Sequence, residues 1–239
     1  MPVRFRSVAS RRKRHPARSC SRTLFAVSVG KGDPKRIVEA GYDQIGPSYR
    51  PWSDEAMSND VRGEYLQDVV TRLPKDADVL ELGCGPGADA AQLARERRYL
   101  GVDLSSVQLD IALAHVPNGS FLHADITALE LPANSFDAVV AFYVFNHVPG
   151  AEQGPMFVKI YAWLRPGAFF CASLGAGEHE DLVQDDWLGV PMFFASIGRD
   201  ENERLLGEAG FQLERSELRT ELEEDEEVSF HWVIARKTN

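Results

Sequence analysis

A glycine-rich turn is the first feature of the sequence that could do chemistry. In VLELGCGPGADAAQLA, Gly83, Gly85 and Gly87 lie between an apolar run typical of a buried strand and a segment typical of a helix. Glycines at such a turn let backbone N–H groups and the helix N-terminus approach a ligand closely. The turn also fits the dinucleotide-binding pattern GxGxx(G/A). However, Glu81 favours a ligand with a positive amino group, and Pro86 removes an N–H that could donate to phosphate.

Two acidic residues end the next two predicted strands. Asp103 in GVDLS lies twenty residues beyond Gly83, the spacing at which a carboxylate can accept hydrogen bonds from both hydroxyls of an adenosine ribose. Asp125 in HADI is expected near the adenine, where it can accept from the exocyclic amine. Each acid could instead cap the helix that follows it. Their spacing within one βαβαβ frame favours the ligand-binding interpretation.

A histidine after the fourth predicted strand is the best candidate for a general base. His147 in FNHVP lies where a chain leaving the sheet reaches the ligand crevice. The alternative is a loop histidine that only packs. His231 alternates with Phe230 and Trp232 inside a predicted strand, so we interpret it as a structural residue.

Two segments, at about 37–60 and 175–198, are predicted to be lids over the site. The first contains YDQIGPSYRPW, in which Tyr42, Tyr49 and Trp52 could cover a cation or could simply pack as an N-terminal helix. The second is too long for an ordinary connection and is rich in aromatic residues. A short helix covering the sheet edge is the alternative there. Long loops beside a site are commonly functional, and this one favours an apolar or aromatic substrate.

The elements that must position these residues follow a regular rhythm. Short apolar runs alternate with helix-like segments, the pattern of a parallel sheet covered by helices. FQLERSELRT and VSFHWVIAR flank ELEEDEE and predict a C-terminal antiparallel hairpin with the acidic stretch 221–227 as its solvated loop. Before them, strands are predicted at 79–82, 99–104, 120–125, 136–144 and 168–174, and helices at about 88–97, 105–115, 151–164 and 199–209.

Composition and charge exclude several classes of protein. A chain of 239 residues with 44% hydrophobic and 26% charged residues is typical of one globular domain with extensions, here placed at 37–239. Residues 1–36 carry eleven Lys/Arg against one acid, which leaves 15 Lys/Arg and 35 Asp/Glu in the rest. Such an acidic body disfavours nucleic-acid substrates. Three scattered cysteines favour a reducing compartment and predict no zinc site. No metal site is expected, with a loose cluster in the insertion as the alternative: Glu178, His179, Glu180, Asp181, Asp185 and Asp186.

The basic segment 1–36 has neither the apolar stretch of a secretory signal nor a membrane span. We therefore expect a disordered extension, no membrane partner and a cytoplasmic protein. An organellar targeting role, or a nuclear-localisation-like or nucleic-acid-binding patch, is the alternative for this segment. The oligomeric state does not follow from the sequence.

Together, ELGCGPG, GVDLS, the strand end at Asp125, FDAVVAFYVFNHVP and LRPGAFF resemble the successive motifs of class I S-adenosylmethionine-dependent methyltransferases. The resemblance covers roughly residues 40–239 and is greatest to the small-molecule and ubiquinone/menaquinone-biosynthesis-like group. It implies an α/β, Rossmann-like, doubly wound fold with a seven-stranded, mostly parallel sheet and an antiparallel C-terminal strand. It also implies S-adenosylmethionine as methyl donor and S-adenosylhomocysteine as product.

The resemblance assigns site residues by motif. The glycine turn would surround the methionine part of the donor, Asp103 the ribose, and Asp125 with Ile126 the adenine, while residues 142–147 would approach the sulfonium and the substrate. His147 is the candidate catalytic residue. The implied donor-binding residues are Tyr42, Tyr49, Glu81, Gly83, Cys84, Gly85, Gly87, Asp103, Leu104, Asp125, Ile126 and Phe142.

We therefore predict methyl transfer to a small, apolar or aromatic organic molecule by in-line displacement. One alternative keeps the cofactor but catalyses a rearrangement or cyclisation. Another is an NAD(P)-dependent oxidoreductase, which Glu81, Pro86 and the lack of a Tyr-x-x-x-Lys pair disfavour. A third is a non-catalytic partner subunit with a vestigial site.

Overall fold

The computed structural model of the protein describes residues 32–56, 60–223 and 226–238. The helices are α1 (Pro34–Ile45), α2 (Tyr49–Ala56), α3 (Asp60–Arg72), α4 (Ala90–Leu93), α5 (Ser106–His115), α6 (Gly150–Trp163) and α7 (Arg199–Glu208). The strands are β1 (Asp78–Leu82), β2 (Arg98–Asp103), β3 (Ser120–His123), β4 (Phe136–Ala141), β5 (Leu164–Gly175), β6 (Glu178–Trp187), β7 (Val190–Ile197), β8 (Phe211–Glu223) and β9 (Glu226–Lys237).

Seven strands form one sheet in the order β3-β2-β1-β4-β5-β9-β8. Strands β1 to β5 pair in parallel, whereas β9 runs antiparallel to both β5 and β8. The predicted mostly parallel sheet with an antiparallel C-terminal strand is therefore confirmed, as is the C-terminal hairpin. Strands β6 and β7 form a separate two-stranded sheet.

Two apolar layers cover the faces of the large sheet. Because successive side chains of a strand point to opposite faces, Val139 belongs to one layer and Val140 to the other. Helices α6 and α7 cover the first face through side chains such as Phe157 and Leu206, and α3 covers the second through Tyr65. The sheet is thus sandwiched between helices, as in doubly wound folds.

The strand order reverses between β1 and β4, which places a crevice at the carboxyl ends of the strands. Gly83 follows β1, Asp103 ends β2, Asp125 lies just after β3, and the segment 142–147 follows β4. The topology therefore brings the residues that the sequence singled out to one edge of the sheet.

Helix α1 crosses this edge and begins earlier than the predicted domain boundary at residue 37. The Asp33 side chain caps it by accepting a hydrogen bond from the Lys35 amide at 3.1 Å, and Pro34 occupies its first turn. The prediction that the basic extension reaches residue 36 is therefore wrong for residues 34–36, which are helical. The rest of that predicted extension, residues 1–31, lies outside the described residues.

Several predicted boundaries differ from the structure for local reasons. The helix expected at 88–97 is reduced to α4, and β4 ends at Ala141 rather than at residue 144. Tyr143 adopts a φ of +57°, which is incompatible with a continued strand. The insertion at 175–198 forms the β6–β7 hairpin, which turns at Leu188 and Gly189 with φ of +52° and +82°.

The prediction of a fully solvated loop for the acidic stretch is wrong at its first residue. Glu221 lies in β8 and is only 4% exposed. Its carboxylate accepts hydrogen bonds from the Tyr143 hydroxyl at 2.8 Å and from the Trp232 indole N–H at 3.1 Å. A carboxylate with such partners can be buried, and a charge pattern alone does not reveal them.

The expected structural role of His231 is confirmed, since its side chain is fully buried and its Nε2 lies 2.8 Å from the Ser216 hydroxyl. Across the described ranges, no helix combines the length and apolar character needed to span a bilayer.

Candidate functional site

A cleft lies at the carboxyl ends of β1 to β4, beneath α1. Helix α1 presents side chains at 35, 38, 39 and 42 to it, which is the spacing of one helical face. Ten of the predicted site residues line the cleft: Tyr42, Tyr49, Gly83, Gly85, Asp103, Leu104, Asp125, Ile126, Phe142 and His147.

At two positions, the glycine turn requires residues that have no side chain. Gly83 and Gly85 have φ of +65° and +50°, a region that side chains disfavour. A Cβ at Gly83 would lie 2.4 Å from Cγ2 of Val144, whereas one at Gly85 would meet only the Tyr49 ring at 4.0 Å. The turn at Gly85 therefore leaves its backbone open to the cleft, as a ligand cradle requires.

Asp103 is held firmly at the end of β2. Its carboxylate accepts hydrogen bonds from the amides of Gly85 at 2.8 Å and Ser105 at 2.9 Å. Burial raises the pKa of the Asp103 carboxyl above its ordinary value, and the backbone donors oppose that rise. Two of its lone-pair sites are thus used to hold it in place, and the others can accept from a ligand.

Asp125 lies just after β3, beside the end of β2, and is paired with a residue of α1. The Lys35 ammonium contacts Asp125 at 3.0 Å and Glu152 at 2.7 Å. Burial would raise the pKa of the Asp125 carboxyl, but hydrogen bonds from Lys35 and Thr127 lower it below its ordinary value. Asp125 also caps the 3₁₀ turn at 126–128 through the Thr127 amide, so the alternative role as a cap is present as well.

His147 and Tyr42 meet at the β4 end of the cleft. Nδ1 of His147 lies 2.8 Å from the carbonyl oxygen of Phe193, and Nε2 lies 2.9 Å from the Tyr42 hydroxyl. A carbonyl can only accept, so Nδ1 carries the proton and Nε2 accepts from Tyr42. Burial lowers the pKa of His147 from 6.5 to about 4, and the ring is therefore a neutral base at physiological pH.

Aromatic rings from both predicted lid segments surround this pair. Trp187 of the hairpin packs with ring centroids 5.8 Å from Tyr42, 5.5 Å from Trp52 and 6.2 Å from His147. Tyr49 lies 5.0 Å from Tyr42 in an edge-to-face arrangement. The β4 end of the cleft is thus covered by aromatic side chains.

Three predicted donor-binding residues lie beneath the turn and not on the wall of the cleft. Glu81 is buried and accepts a hydrogen bond from the Tyr99 hydroxyl, while burial and the nearby Asp89 raise its pKa well above the ordinary value. The Cys84 thiol is likewise buried. Gly87 packs on α5, where a Cβ would lie 3.1 Å from that of Ala112. These residues shape the turn from behind.

Sequence reasoning missed several residues on the wall. Gln108 and Lys35 have the clearest contacts, and both lie on helices whose faces could not be assigned without knowing what they cover. Tyr143 and Val144 were not singled out individually, but they belong to the segment 142–147 that was predicted to approach the ligand, and both line the cleft. The remaining missed wall residues are Val38, Glu39, Ser105, Thr127, Val148 and Pro149.

Among the residues that the structure describes, no group of three or more His, Cys, Asp or Glu side chains is arranged to hold a metal ion. Two acids of the insertion have other roles. Asp181 accepts from the amide of Gly150 at the start of α6, and Asp186 accepts from the amide of Gly189 in the hairpin turn.

The cleft suits an adenosine-containing ligand with a cationic group at its far end. Asp103 and Asp125 offer acceptors along one side, the open backbone at Gly85 lets the ligand approach, and Gln108 presents a buried oxygen without a hydrogen-bond partner among the described residues. The aromatic rings at the β4 end can face a positive charge.

Comparison with known proteins agrees with this geometry. Residues 79–167 match a family described as a methyltransferase domain. A probable S-adenosylmethionine-dependent methyltransferase from Mycolicibacterium smegmatis is 32% identical over 184 residues, which span 77% of this chain and 70% of the relative. The trans-aconitate 2-methyltransferase of Azoarcus sp. is 32% identical over 123 residues, or 48% of this chain and 47% of that protein.

Among solved structures, the Burkholderia thailandensis 1,6-didemethyltoxoflavin-N1-methyltransferase, with bound S-adenosylhomocysteine, superposes with a TM-score of 0.65. The match covers 90% of this chain and 94% of that one at 21% identity, so it shows a shared fold. These relatives do not favour the oxidoreductase alternative. The chain belongs to the class I S-adenosylmethionine-dependent methyltransferases.

Proposed function

We propose that the protein transfers a methyl group to a small, uncharged molecule with an apolar or aromatic body, at an atom that carries a proton. One observation carries the proposal: charged and aromatic wall residues are segregated along the cleft. Of the described residues on its wall, the charged ones (Lys35, Glu39, Asp103 and Asp125) lie at the ends of β2 and β3 or on the first turns of α1. The β4 end is lined by Tyr42, Phe142, Tyr143 and His147, and Tyr49 lies between Tyr42 and the glycine turn.

The charged end is suited to the donor. Asp103 would accept from the ribose hydroxyls, Asp125 and the Ile126 region would face the adenine, and the turn at Gly83 and Gly85 would hold the methionine part. Bound S-adenosylmethionine supplies a methyl group on a positively charged sulfur. The chain's own contribution is to fix the donor so that the acceptor atom, methyl and sulfur lie in line, and to exclude water.

The pair formed by Tyr42 and His147 provides a route for the acceptor's proton. Because Nε2 is occupied by the Tyr42 hydroxyl, the proton passes from the acceptor to the Tyr42 oxygen while the Tyr42 proton passes to Nε2. The Phe193 carbonyl accepts from Nδ1–H and stabilises the resulting imidazolium. The imidazolium forms as the donor loses its positive charge, so the net charge of the site does not change.

Two relatives carry names that refer to small organic substrates, which supports a small-molecule acceptor. Trans-aconitate is an anion, and an anionic acceptor would need a cation beside it. The described wall of the β4 end offers aromatic rings and a neutral imidazole instead. This difference favours an uncharged acceptor for the present chain.

An acceptor screen tests the proposal. The purified protein is incubated with methyl-labelled S-adenosylmethionine and a panel of aromatic hydroxyl compounds, each matched by a carboxylate and by an ammonium compound with the same ring system. We expect label transfer to the hydroxyl compounds and little to their charged counterparts. Transfer only to carboxylates or only to ammonium compounds would contradict the proposed acceptor class.

A further inference from the structure

Gln108 lies in the first turn of α5, directly behind the loop that carries Asp103. Its backbone N–H donates to the capping Ser105 hydroxyl at 3.2 Å, and its side chain reaches the carbonyls of Tyr42 and Gly46, towards α1 and the cleft. The side chain is only 1% exposed, although it is polar and lines the cleft. A buried amide in this position needs hydrogen-bond partners for both of its ends.

The contacts of Gln108 fix which end is nitrogen and which is oxygen. One terminal atom lies 3.2 Å from the carbonyl oxygen of Tyr42 and 3.0 Å from that of Gly46. Only the amide nitrogen can donate to two carbonyls, so this atom is Nε2. The other end, Oε1, is buried and has no hydrogen-bond partner among the described residues.

We propose that Gln108 is a further donor-binding residue, whose Oε1 accepts a hydrogen bond from a ribose hydroxyl of the methyl donor. This inference rests on the proposed donor site. An acceptor left unpaired in a buried position is unfavourable, and a hydroxyl of the ligand would satisfy it. Ser105 links the two residues, since its amide donates to Asp103 and its hydroxyl accepts from the Gln108 amide, and both Asp103 and Gln108 line the cleft.

The same side chain links the donor to the proton route. While Oε1 faces the ligand, Nε2 holds the carbonyl of Tyr42, whose hydroxyl contacts His147. Gln108 therefore binds both the C-terminal end of α1 and the donor. A donor bound at Oε1 restrains the amide that positions Tyr42.

The test measures the affinity of 5′-methylthioadenosine and its 2′-deoxy and 3′-deoxy analogues by calorimetry in the wild type, Gln108→Met and Gln108→Glu. Methionine has a similar shape but no hydrogen-bonding amide. Glutamate keeps an acceptor oxygen but loses the amide nitrogen that donates to the carbonyls of Tyr42 and Gly46, so it reports on that anchor as well. For one of the two hydroxyls, we expect removal to weaken binding about tenfold in the wild type and by a clearly smaller factor in Gln108→Met, where the contact with Asp103 alone remains. Equal penalties in the wild type and in Gln108→Met would overturn the proposal.

Two further measurements separate a ribose contact from a contact with the ammonium group and from a general effect of losing a buried amide. If Gln108→Met changes only the ratio of S-adenosylhomocysteine to 5′-methylthioadenosine affinity, the partner is the ammonium group and the ribose assignment is wrong.

Gln153→Met is the matched control, because Gln153 also donates to two carbonyls, those of Phe145 and Val148, and is equally buried but off the wall. We expect it to leave the deoxy penalties unchanged.

The experiment needs no methyl acceptor, so a failed acceptor screen would not affect it. If none of these nucleosides binds to the wild type, both this inference and the donor site of the proposed function are overturned.

Discussion

Replacing His147 by alanine should lower turnover by about 10²–10⁴-fold while leaving the affinity for S-adenosylhomocysteine nearly unchanged. The imidazole is a neutral base whose Nε2 accepts a hydrogen bond from the Tyr42 hydroxyl. It lines the cleft at the end away from Asp103 and Asp125. Its loss should therefore affect proton removal and not donor binding. Steady-state kinetics with an acceptor from the screen, and calorimetry with the product, measure the two effects separately.

The pH dependence of kcat/KM provides a second measure of the same residue. His147 must be neutral to accept a proton, and burial lowers its pKa from 6.5 to about 4. Activity that depends on neutral His147 is therefore fully present throughout the ordinary histidine range. It is lost only as the pH falls through about 4. An acidic limb with a midpoint near 6.5 that disappears in the alanine variant would show that the histidine is not buried as described.

Tyr42→Phe distinguishes a relay from direct proton transfer to His147. If the proton passes through the Tyr42 hydroxyl, this variant, His147→Ala and the double variant should show similar losses, because all three interrupt one route. Additive losses would instead mean that the two residues act independently. Full activity in His147→Ala would leave methyl transfer dependent on proximity alone and would remove the base from the mechanism.

Replacing Asp103 by alanine should weaken S-adenosylhomocysteine binding by about 1.5–3 kcal/mol, which corresponds to a loss of roughly 10–150-fold. The carboxylate is proposed to accept from the ribose, and it also holds the amides of Gly85 and Ser105. The variant therefore loses a direct contact and loosens the glycine turn. Calorimetric titration of both proteins with S-adenosylhomocysteine measures the difference.

Asp103→Asn and Asp110→Ala are the controls for that result. Asparagine keeps one acceptor oxygen and the shape of the side chain, so an intermediate loss is expected. Asp110 is exposed on α5 and should have no effect on binding. An unchanged dissociation constant for Asp103→Ala would remove this residue from the ribose role.

The fold could be predicted because its signals are local. The apolar runs at 79–82 and 136–141 and the glycine turn between β1 and α4 are regular, and each is short enough to be identified from neighbouring residues. The carboxyl-end placement of Asp103 and Asp125 followed from parallel pairing alone. For the same reason, ten of the predicted site residues line the cleft.

The hairpin formed by β6 and β7 could not be predicted in the same way. Its strands pair only with each other, and its core is completed by Val38 and Ile45 of α1, which is distant in sequence. Its turn depends on the positive φ of Leu188 and Gly189, and leucine gives no sequence signal for that conformation. The hydrogen bond from His147 to the Phe193 carbonyl was hidden for the same reason.

Lys35 and Gln108 were missed because their roles depend on contacts between separate elements. Lys35 lies within a run of basic residues, but it pairs with Asp125 and Glu152 across the cleft. Gln108 lies one helical turn after a capping serine, and nothing near it in sequence shows that α1 will cover it. Both residues connect α1 to the sheet, a relation that single-sequence patterns do not encode.

Calorimetric titration of the full chain with S-adenosylhomocysteine, with NAD as the parallel control, tests the central claim most directly. We expect micromolar binding of S-adenosylhomocysteine and no binding of NAD, because the cleft offers carboxylates to the adenosine and an open glycine turn to the homocysteine part. Binding of NAD alone, or of neither compound, would contradict the assignment of this cleft as the methyl-donor site.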